Sequence, residues 1–423
     1  MTAVPWGLLP DSAAVGEHGQ LLVGGCDVAA LAEEYGTPLF VYDEAQLRAR
    51  CREAVAAFGD GVAYATKAFL CRAMARLAHE EGMHLDVASG GELLIALSAG
   101  VPADRLVLHG NNKSDGELVA AREAGVGRLV VDSFDELDRL ERLHAADGIV
   151  PKVLLRITPG VEAHTHEFVM TGQDDSKFGF GLKVGDAARA VARARASVAL
   201  ELVGIHAHIG SQVFVAGFFT QAVEALAPFV NELGLPELSI GGGIGVAYVE
   251  GEEAPSITEW GDVVRAACAD AGITARVSAE PGRSIAAAAG LTVYRVGTVK
   301  DVPGIRTFVA CDGGFIDNPR PALYGSGYET FLPRAVTADR TETVRLVGKH
   351  CESGDVLVPE AKVPAGVVVG DLIATPVTGA YGRTMGSNYN SLGRPAVVFV
   401  ANGQARLVIR RETDQDLLAT DVG

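Results

Sequence analysis

Lys67 follows the apolar run VAYAT at 62–66, a place where a solvated lysine is unexpected. A desolvated amine of lowered pKa is what Schiff-base chemistry with an aldehyde requires; the plainer alternative is a rim lysine paired with Asp86. Glu280 stands after ARVSA at 275–279 and directly before Pro281-Gly282-Arg283. A carboxylate there could hold a pyridine nitrogen protonated and turn a flat ring into an electron sink, or form an ordinary pair with Arg283. Gly241-Gly242-Gly243 would let backbone N–H groups approach a phosphate closely, although a chain with 51 glycines also uses them for turns. His208, in GIHAHIGSQ, could stack its imidazole on such a ring, whereas strand histidines are more often satisfied core residues.

A metal alternative rests on His164, His166, Glu167, His206 and His208, since imidazoles and a carboxylate bind zinc or iron. His164 and His166 fall in a polar loop, and HTHE lacks the four-residue helical offset of HExxH. No metal is expected.

Something must bring these residues together. Short Val/Leu/Ile-rich runs recur at 62–66, 84–88, 106–109, 128–132, 153–157, 202–208, 237–241 and 275–279, most of them separated by stretches of helical period such as LCRAMARLAHEEG. Strand alternating with helix in this way predicts an α/β fold, a (β/α)8 barrel of the TIM type, whose active site lies at the C-terminal strand ends. Those ends hold Lys67, Asp86 and Ser89, His109 and Asn111, Asp132, Arg156, His206 and His208, Gly241–Gly243, and Glu280. The loops after strands seven and eight are where such barrels most often hold a phosphate, which favours a phosphorylated ligand.

After about residue 288 the texture becomes all-β, with LTVYRVGTVK, RTFVACDGG, DVLVPEAKV, DLIATPV and PAVVFVANGQARLVIRR between Gly, Pro and Asn-Gly turns. The expected domains are therefore an N-terminal segment (1–37) packing with the β domain, a barrel (38–287), and a C-terminal β-sandwich or β-barrel domain (288–423).

The chain has 423 residues, 48% of them hydrophobic, so it is long enough for two or three domains and excludes wholesale disorder. A net charge of −17 from 36 basic and 53 acidic residues argues against nucleic acid as a partner. Six cysteines without a CxxC pattern indicate neither a disulfide framework nor structural zinc and fit a reducing cytoplasm. No signal sequence or apolar run of the roughly 18 residues needed for a membrane span is visible.

The order of these features resembles the fold-type III pyridoxal-phosphate decarboxylases, which join an alanine-racemase-like barrel to a β domain. Within that family the longer strings resemble the diaminopimelate decarboxylase branch: YATKAF around Lys67, DVASGGE at 86–92, HGNNKS at 109–114, HTHEF at 164–168, KFGF at 177–180, HAHIGSQ at 206–212, GGGIG at 241–245, EPGRS at 280–284, DNPRPALYG at 317–325, CESGD at 351–355 and TGAYG at 378–382. CESGD and NPRPALY separate this branch from the ornithine and arginine decarboxylases. One departure is Val215 after GSQVF, where many members carry an acidic residue.

The resemblance implies pyridoxal 5'-phosphate as cofactor, Lys67 as the Schiff-base lysine, His208 stacked on the ring and Glu280 on the pyridine nitrogen, with Asp86 also against the cofactor. Ser211, Gly241, Gly242, Gly243, Gly282, Arg283 and the Tyr381 hydroxyl would hold the phosphate. Arg283, Arg320 and Tyr324 would grip a distal substrate carboxylate, Glu352 the distal ammonium, and Tyr381 would also touch substrate. Cys351 would donate a proton after CO2 loss, and Cys351 and Glu352 would act in trans across a homodimer. The implied reaction is decarboxylation of meso-2,6-diaminopimelate to L-lysine in the cytoplasm. A paralogue acting on D-ornithine, D-lysine or a conjugate, a regulatory homologue without activity, and a zinc hydrolase on a barrel are the alternatives.

Overall fold

The computed structural model describes residues 3–161 and 175–423, so His164, His166 and Glu167 lie outside the described residues. The chain divides into two compact units: Arg50–Val246 with Ala254–Ser284, and Met1–Ala49 with Ala247–Glu253 and Ile285–Gly423.

In the first unit eight strands run parallel in chain order: Ala63–Ala65, His84–Val87, Leu106–Leu108, Arg128–Val131, Lys152–Thr158, Glu201–His206, Glu237–Ser239 and Arg276–Ser278. Each falls within or overlaps an apolar run of the sequence, as expected of strands covered by helices. The N–H groups of Ala63 and Ala65 donate to the carbonyls of Ala279 (2.9 Å) and Pro281 (3.1 Å), joining the last strand to the first. Val107, Val130, Leu154 and Val203 pack together as one buried cluster of this unit.

The helices start where short polar side chains meet the first turn. Ser89, Ser114, Ser133 and Ser256 each accept a backbone N–H three residues on, and Ser114 and Ser256 complete capping boxes with Glu117 and Glu259. Each cap contributes about 1 kcal/mol. Ser89, at the C-terminal end of the second strand, thus serves its helix.

Register decides which side chains share a level. Arg156 pairs with His206, His206 with Ser239, and Ser239 with Ser278, so these four stand side by side across four strands. Ala65 pairs with Asp86 in the same way, two residues before Lys67.

The second unit is built on an eight-stranded sheet in the order Val356–Val363, Glu342–Val347, Arg306–Cys311, Gly290–Val302, Leu39–Asp43, Ala396–Ala401, Gln404–Ile409, with Leu372–Thr375 also on Gly290–Val302. Leu39–Asp43 is buried throughout and lies between Gly290–Val302 and Ala396–Ala401, so this strand, which the expected division at 37/38 puts in the barrel, pairs within the sheet of the second unit. Asn402 and Gly403 take positive φ angles of 52° and 73°, the type I′ geometry that Asn-Gly favours in a tight hairpin. Among the described residues no helix is long and apolar enough to cross a membrane.

Candidate active site

Glu280 follows the last barrel strand and is 8% exposed. Its Oε2 lies 2.9 Å from His206 Nε2, which donates, and its Oε1 accepts from the Ser239 hydroxyl at 2.8 Å. His109 Nε2 stands 3.5 Å from Oε1. Burial alone would raise the Glu280 pKa, but His206 and the two hydrogen bonds outweigh it and hold the carboxyl below its usual range. Glu280 is a buried, permanently charged carboxylate.

Asp86 shows the opposite outcome. Burial, and then the Glu280 charge, push its pKa well above the ordinary value, against a weaker pull from Lys67 and Arg156. Two acids this close do not both ionise, and the proton resides on Asp86. Burial, together with Arg156 and other cationic neighbours, holds His109 well below its usual pKa, so its ring is neutral and its Nε2 has no hydrogen-bond partner. The ligand-type atoms of His109, His206 and Glu280 lie within 4.8 Å of one another. Of the histidines weighed for a metal that are among the described residues, His206 belongs to that group and His208 does not.

His208 Nδ1 accepts the Gly242 N–H at 3.1 Å, which fixes the ring and leaves the proton on Nε2. Burial first, then Lys67 and Arg156, keep the imidazole neutral by pushing its pKa well below the usual value. The glycines cannot be replaced here: a Cβ on Gly242 would meet the Glu280 carbonyl at 2.1 Å, and one on Gly243 the Gly210 carbonyl at 2.1 Å. Gly241 and Gly243 also need positive φ, 69° and 117°. On Gly282 a Cβ would come within 2.9 Å of the Ala65 carbonyl, and next to it Arg283 Nη2 donates to Ser211 Oγ at 2.9 Å.

Lys67 corrects one expectation. The 3₁₀ turn Thr66–Ala68 carries it out of the strand, and its side chain is exposed, not desolvated. Nor does it pair with Asp86, whose nearest basic group is His109 Nε2 at 3.6 Å.

The remaining candidates belong to the second unit. Arg320 opens the helix Arg320–Tyr324 and is 4% exposed, with Tyr324 half-buried at the helix end. Cys351 and Glu352 are exposed, and the Tyr389 hydroxyl donates to Glu352. Tyr381 holds a positive φ of 59° between packed glycines: a Cβ would meet the Ala286 carbonyl from Gly379 and Asn318 Oδ1 from Gly382.

Ser239 was not anticipated as a site residue, and His206 was weighed only for a metal. Arg156 is also more than a rim residue, since its guanidinium lies 4.2 Å from the Phe178 ring centroid and 3.6 Å from Asp132 Oδ2. Asp132 in turn accepts the Gly179 N–H at 2.5 Å, tying the KFGF segment to the strand ends.

Residues 44–287 match the family model described as pyridoxal-dependent decarboxylase, pyridoxal binding domain. With the parallel barrel and its attached β sheet, this defines the class: a pyridoxal-phosphate-dependent decarboxylase of fold type III. The diaminopimelate decarboxylase of Mycobacterium tuberculosis is 48% identical over 427 residues, covering 96% of each chain. That of Bacillus subtilis is 46% identical over 422 residues, again covering 96% of each. The crystal structure of diaminopimelate decarboxylase from M. jannaschii in co-complex with L-lysine shares a TM-score of 0.91 at 32% identity, over 98% of both chains. The chain belongs to the diaminopimelate decarboxylase family.

The residues present fit pyridoxal phosphate. The glycine cradle excludes any side chain where an anion would bind, Glu280 offers a charged carboxylate, and His109 Nε2 and His206 Nδ1 are buried polar atoms without partners at the same level.

Proposed function

We propose that the chain removes the carboxylate at one end of meso-2,6-diaminopimelate, giving L-lysine and CO2, the last step of lysine biosynthesis. It is a carboxy-lyase. The observation that carries this reading is Glu280, kept charged by His206 and Ser239 on a strand next to the one that ends at Lys67. The relatives it matches across nearly their whole length are diaminopimelate decarboxylases.

When bound, pyridoxal phosphate supplies an electron sink for the bond that breaks. Lys67 would offer its amine to the aldehyde and give way to the substrate amine. Glu280 would keep the pyridine nitrogen protonated, His208 would lie against the ring, and Asp86 would stand beside it as a neutral acid. Gly241–Gly243, Ser211, Gly282, Arg283 and Tyr381 would hold the phosphate. Arg283, Arg320 and Tyr324 would take the distal carboxylate, for which a guanidinium fork is suited, with Tyr381 also in contact. Glu352 would take the distal ammonium, and Cys351 would return a proton to the carbon that has lost CO2.

Cys351 and Glu352 are exposed in the single chain, which supports a homodimer in which each chain lends them to its partner. A cytoplasmic location belongs to the same reading.

The purified, pyridoxal-phosphate-loaded protein is to be incubated separately with meso-diaminopimelate, D-lysine, D-ornithine and L-ornithine, following CO2 and the amine product. Lysine should form from meso-diaminopimelate alone, and Lys67→Ala should lose activity by at least about 10⁴-fold. Turnover of another amine instead would move the chain to a paralogous decarboxylase. For the shared site, Lys67→Ala and Cys351→Ala chains co-refolded in equal amounts should regain about a quarter of wild-type activity, because half the dimers then carry one intact site. No recovery would place Cys351 in the site of its own chain.

A further inference from the structure

Arg320 is a buried cation with an unusual set of neighbours. Its side chain has no carboxylate partner among the described residues, and its Nε is buried without a hydrogen bond. Nη2 donates to Ser326 Oγ at 3.0 Å and Nη1 lies 3.4 Å from the Tyr328 hydroxyl, both neutral groups. What covers the guanidinium is aromatic: its carbon lies 3.7 Å from the Tyr248 ring centroid and 5.7 Å from that of Tyr328. The two rings meet edge to face, 5.6 Å apart at 76°. Both tyrosines are almost wholly buried, 2% and 3% exposed.

The backbone holds this arrangement in place. The Tyr248 N–H donates to Glu252 Oε2 at 2.7 Å, and Gly327 lets the Ser326–Tyr328 loop close on the Tyr248 segment, where a Cβ would meet Val249 Cγ1 at 2.8 Å.

Buried arginines ordinarily face a carboxylate, which offsets desolvation but also neutralises the charge. A π-face lowers the desolvation cost while leaving the positive charge uncompensated. Here the charge remains available to an anion that arrives from outside the chain.

We propose that Tyr248 is a positioning residue for substrate recognition: its ring holds the Arg320 guanidinium flat and unneutralised for the distal carboxylate, with Tyr328 bracing the edge. This rests on the reading of Arg320 as the carboxylate grip. The residue pair sets specificity for diamines that carry that carboxylate over those that lack it.

The test uses the holoenzyme with L-lysine, which retains the distal carboxylate, and cadaverine, the same diamine without it. Affinities come from competitive inhibition, beside KM and kcat for meso-diaminopimelate. Tyr248→Leu is expected to raise KM and weaken L-lysine about tenfold, to leave cadaverine unchanged, and to hold kcat within about threefold. Tyr248→Phe keeps the ring and should stay within about twofold of wild type on every measure. Should Tyr248→Leu not fold, Tyr248→Met replaces the π-face at similar volume and carries the same expectation. Equal weakening of L-lysine and cadaverine, no weakening of either, or a Phe variant as poor as the Leu one overturns the proposal. Arg320→Leu separates the two readings: if it too leaves the preference for L-lysine intact, the carboxylate grip itself fails. If it abolishes the preference while Tyr248→Leu does not, only the role of Tyr248 falls.

Discussion

Glu280 in the barrel and Asp317 in the β unit are both buried acids, 8% and 2% exposed, yet their pKa values move in opposite directions. Glu280 has an imidazole and a hydroxyl as donors and stays ionised. Among the described residues Asp317 accepts only the Gly314 N–H at 3.1 Å, and burial, reinforced by the charges of Asp312 and Asp355, pushes it up to about 7. Burial sets the cost of a charge; the donors around it decide whether the charge survives. The barrel invests donors in an acid that must be charged to work, while the loop at Gly313–Gly314 tolerates one that is half neutral.

The sharpest way to break this contrast is Glu280→Gln, which keeps shape and removes charge. kcat should fall on the order of 10²–10³-fold, as when one preorganised electrostatic group is lost from a site. A drop of less than tenfold would mean that the charge of Glu280 is not used.

Ser239→Ala removes one donor and leaves the carboxylate. Glu280 should keep its charge on the remaining His206 bond, so kcat at pH 8 should stay within roughly tenfold of wild type. A loss as deep as that of Glu280→Gln would show that His206 alone cannot sustain the charge.

The smallest effect is expected for Asp317→Asn and is read in stability. The folded pKa of about 7 lies above the unfolded value of 3.8, so the contribution of Asp317 is fully present below the unfolded value and is lost as pH rises through the folded one. Asn cannot ionise, so the variant should melt a few degrees above wild type at pH 8, and the gain should vanish near pH 4. A pH-independent difference would contradict the assignment.

The same contrast marks what was legible in the sequence. Lys67, His208 and Glu280 could be found because each follows a short apolar run, and a strand end in a barrel is a functional position. The His206–Glu280 bond joins residues 74 positions apart and exists only because of strand register, which no local pattern encodes. Ser239, in ELSIGGG, carried one usable signal: a polar residue breaking an apolar strand two positions before the glycines. The desolvation expected of Lys67 failed because strand-end logic does not foresee a 3₁₀ turn at Thr66–Ala68, on which the lysine is exposed while Thr66 and Ala68 are buried. Among the elements, Glu342–Val347 went unread because half its residues face outward and are charged or small, giving ETVRLV too weak an apolar face beside DRTET. LFVYD at 39–43 was visible as apolar, but its place at the middle of the C-terminal sheet depends on partners more than 240 residues away.

The bonds from Ala63 and Ala65 to Ala279 and Pro281 place Lys67 and Glu280 on the first and last strands of one ring. On a ribosome, the lysine is therefore made long before the acid it must work beside. Every intermediate length of chain carries an open sheet edge and an incomplete pocket, and long-range pairings of this kind form late because loop closure must precede them. A pocket that holds both therefore waits for the last barrel strand, and a chain cut before Arg276 would carry the lysine without the acid.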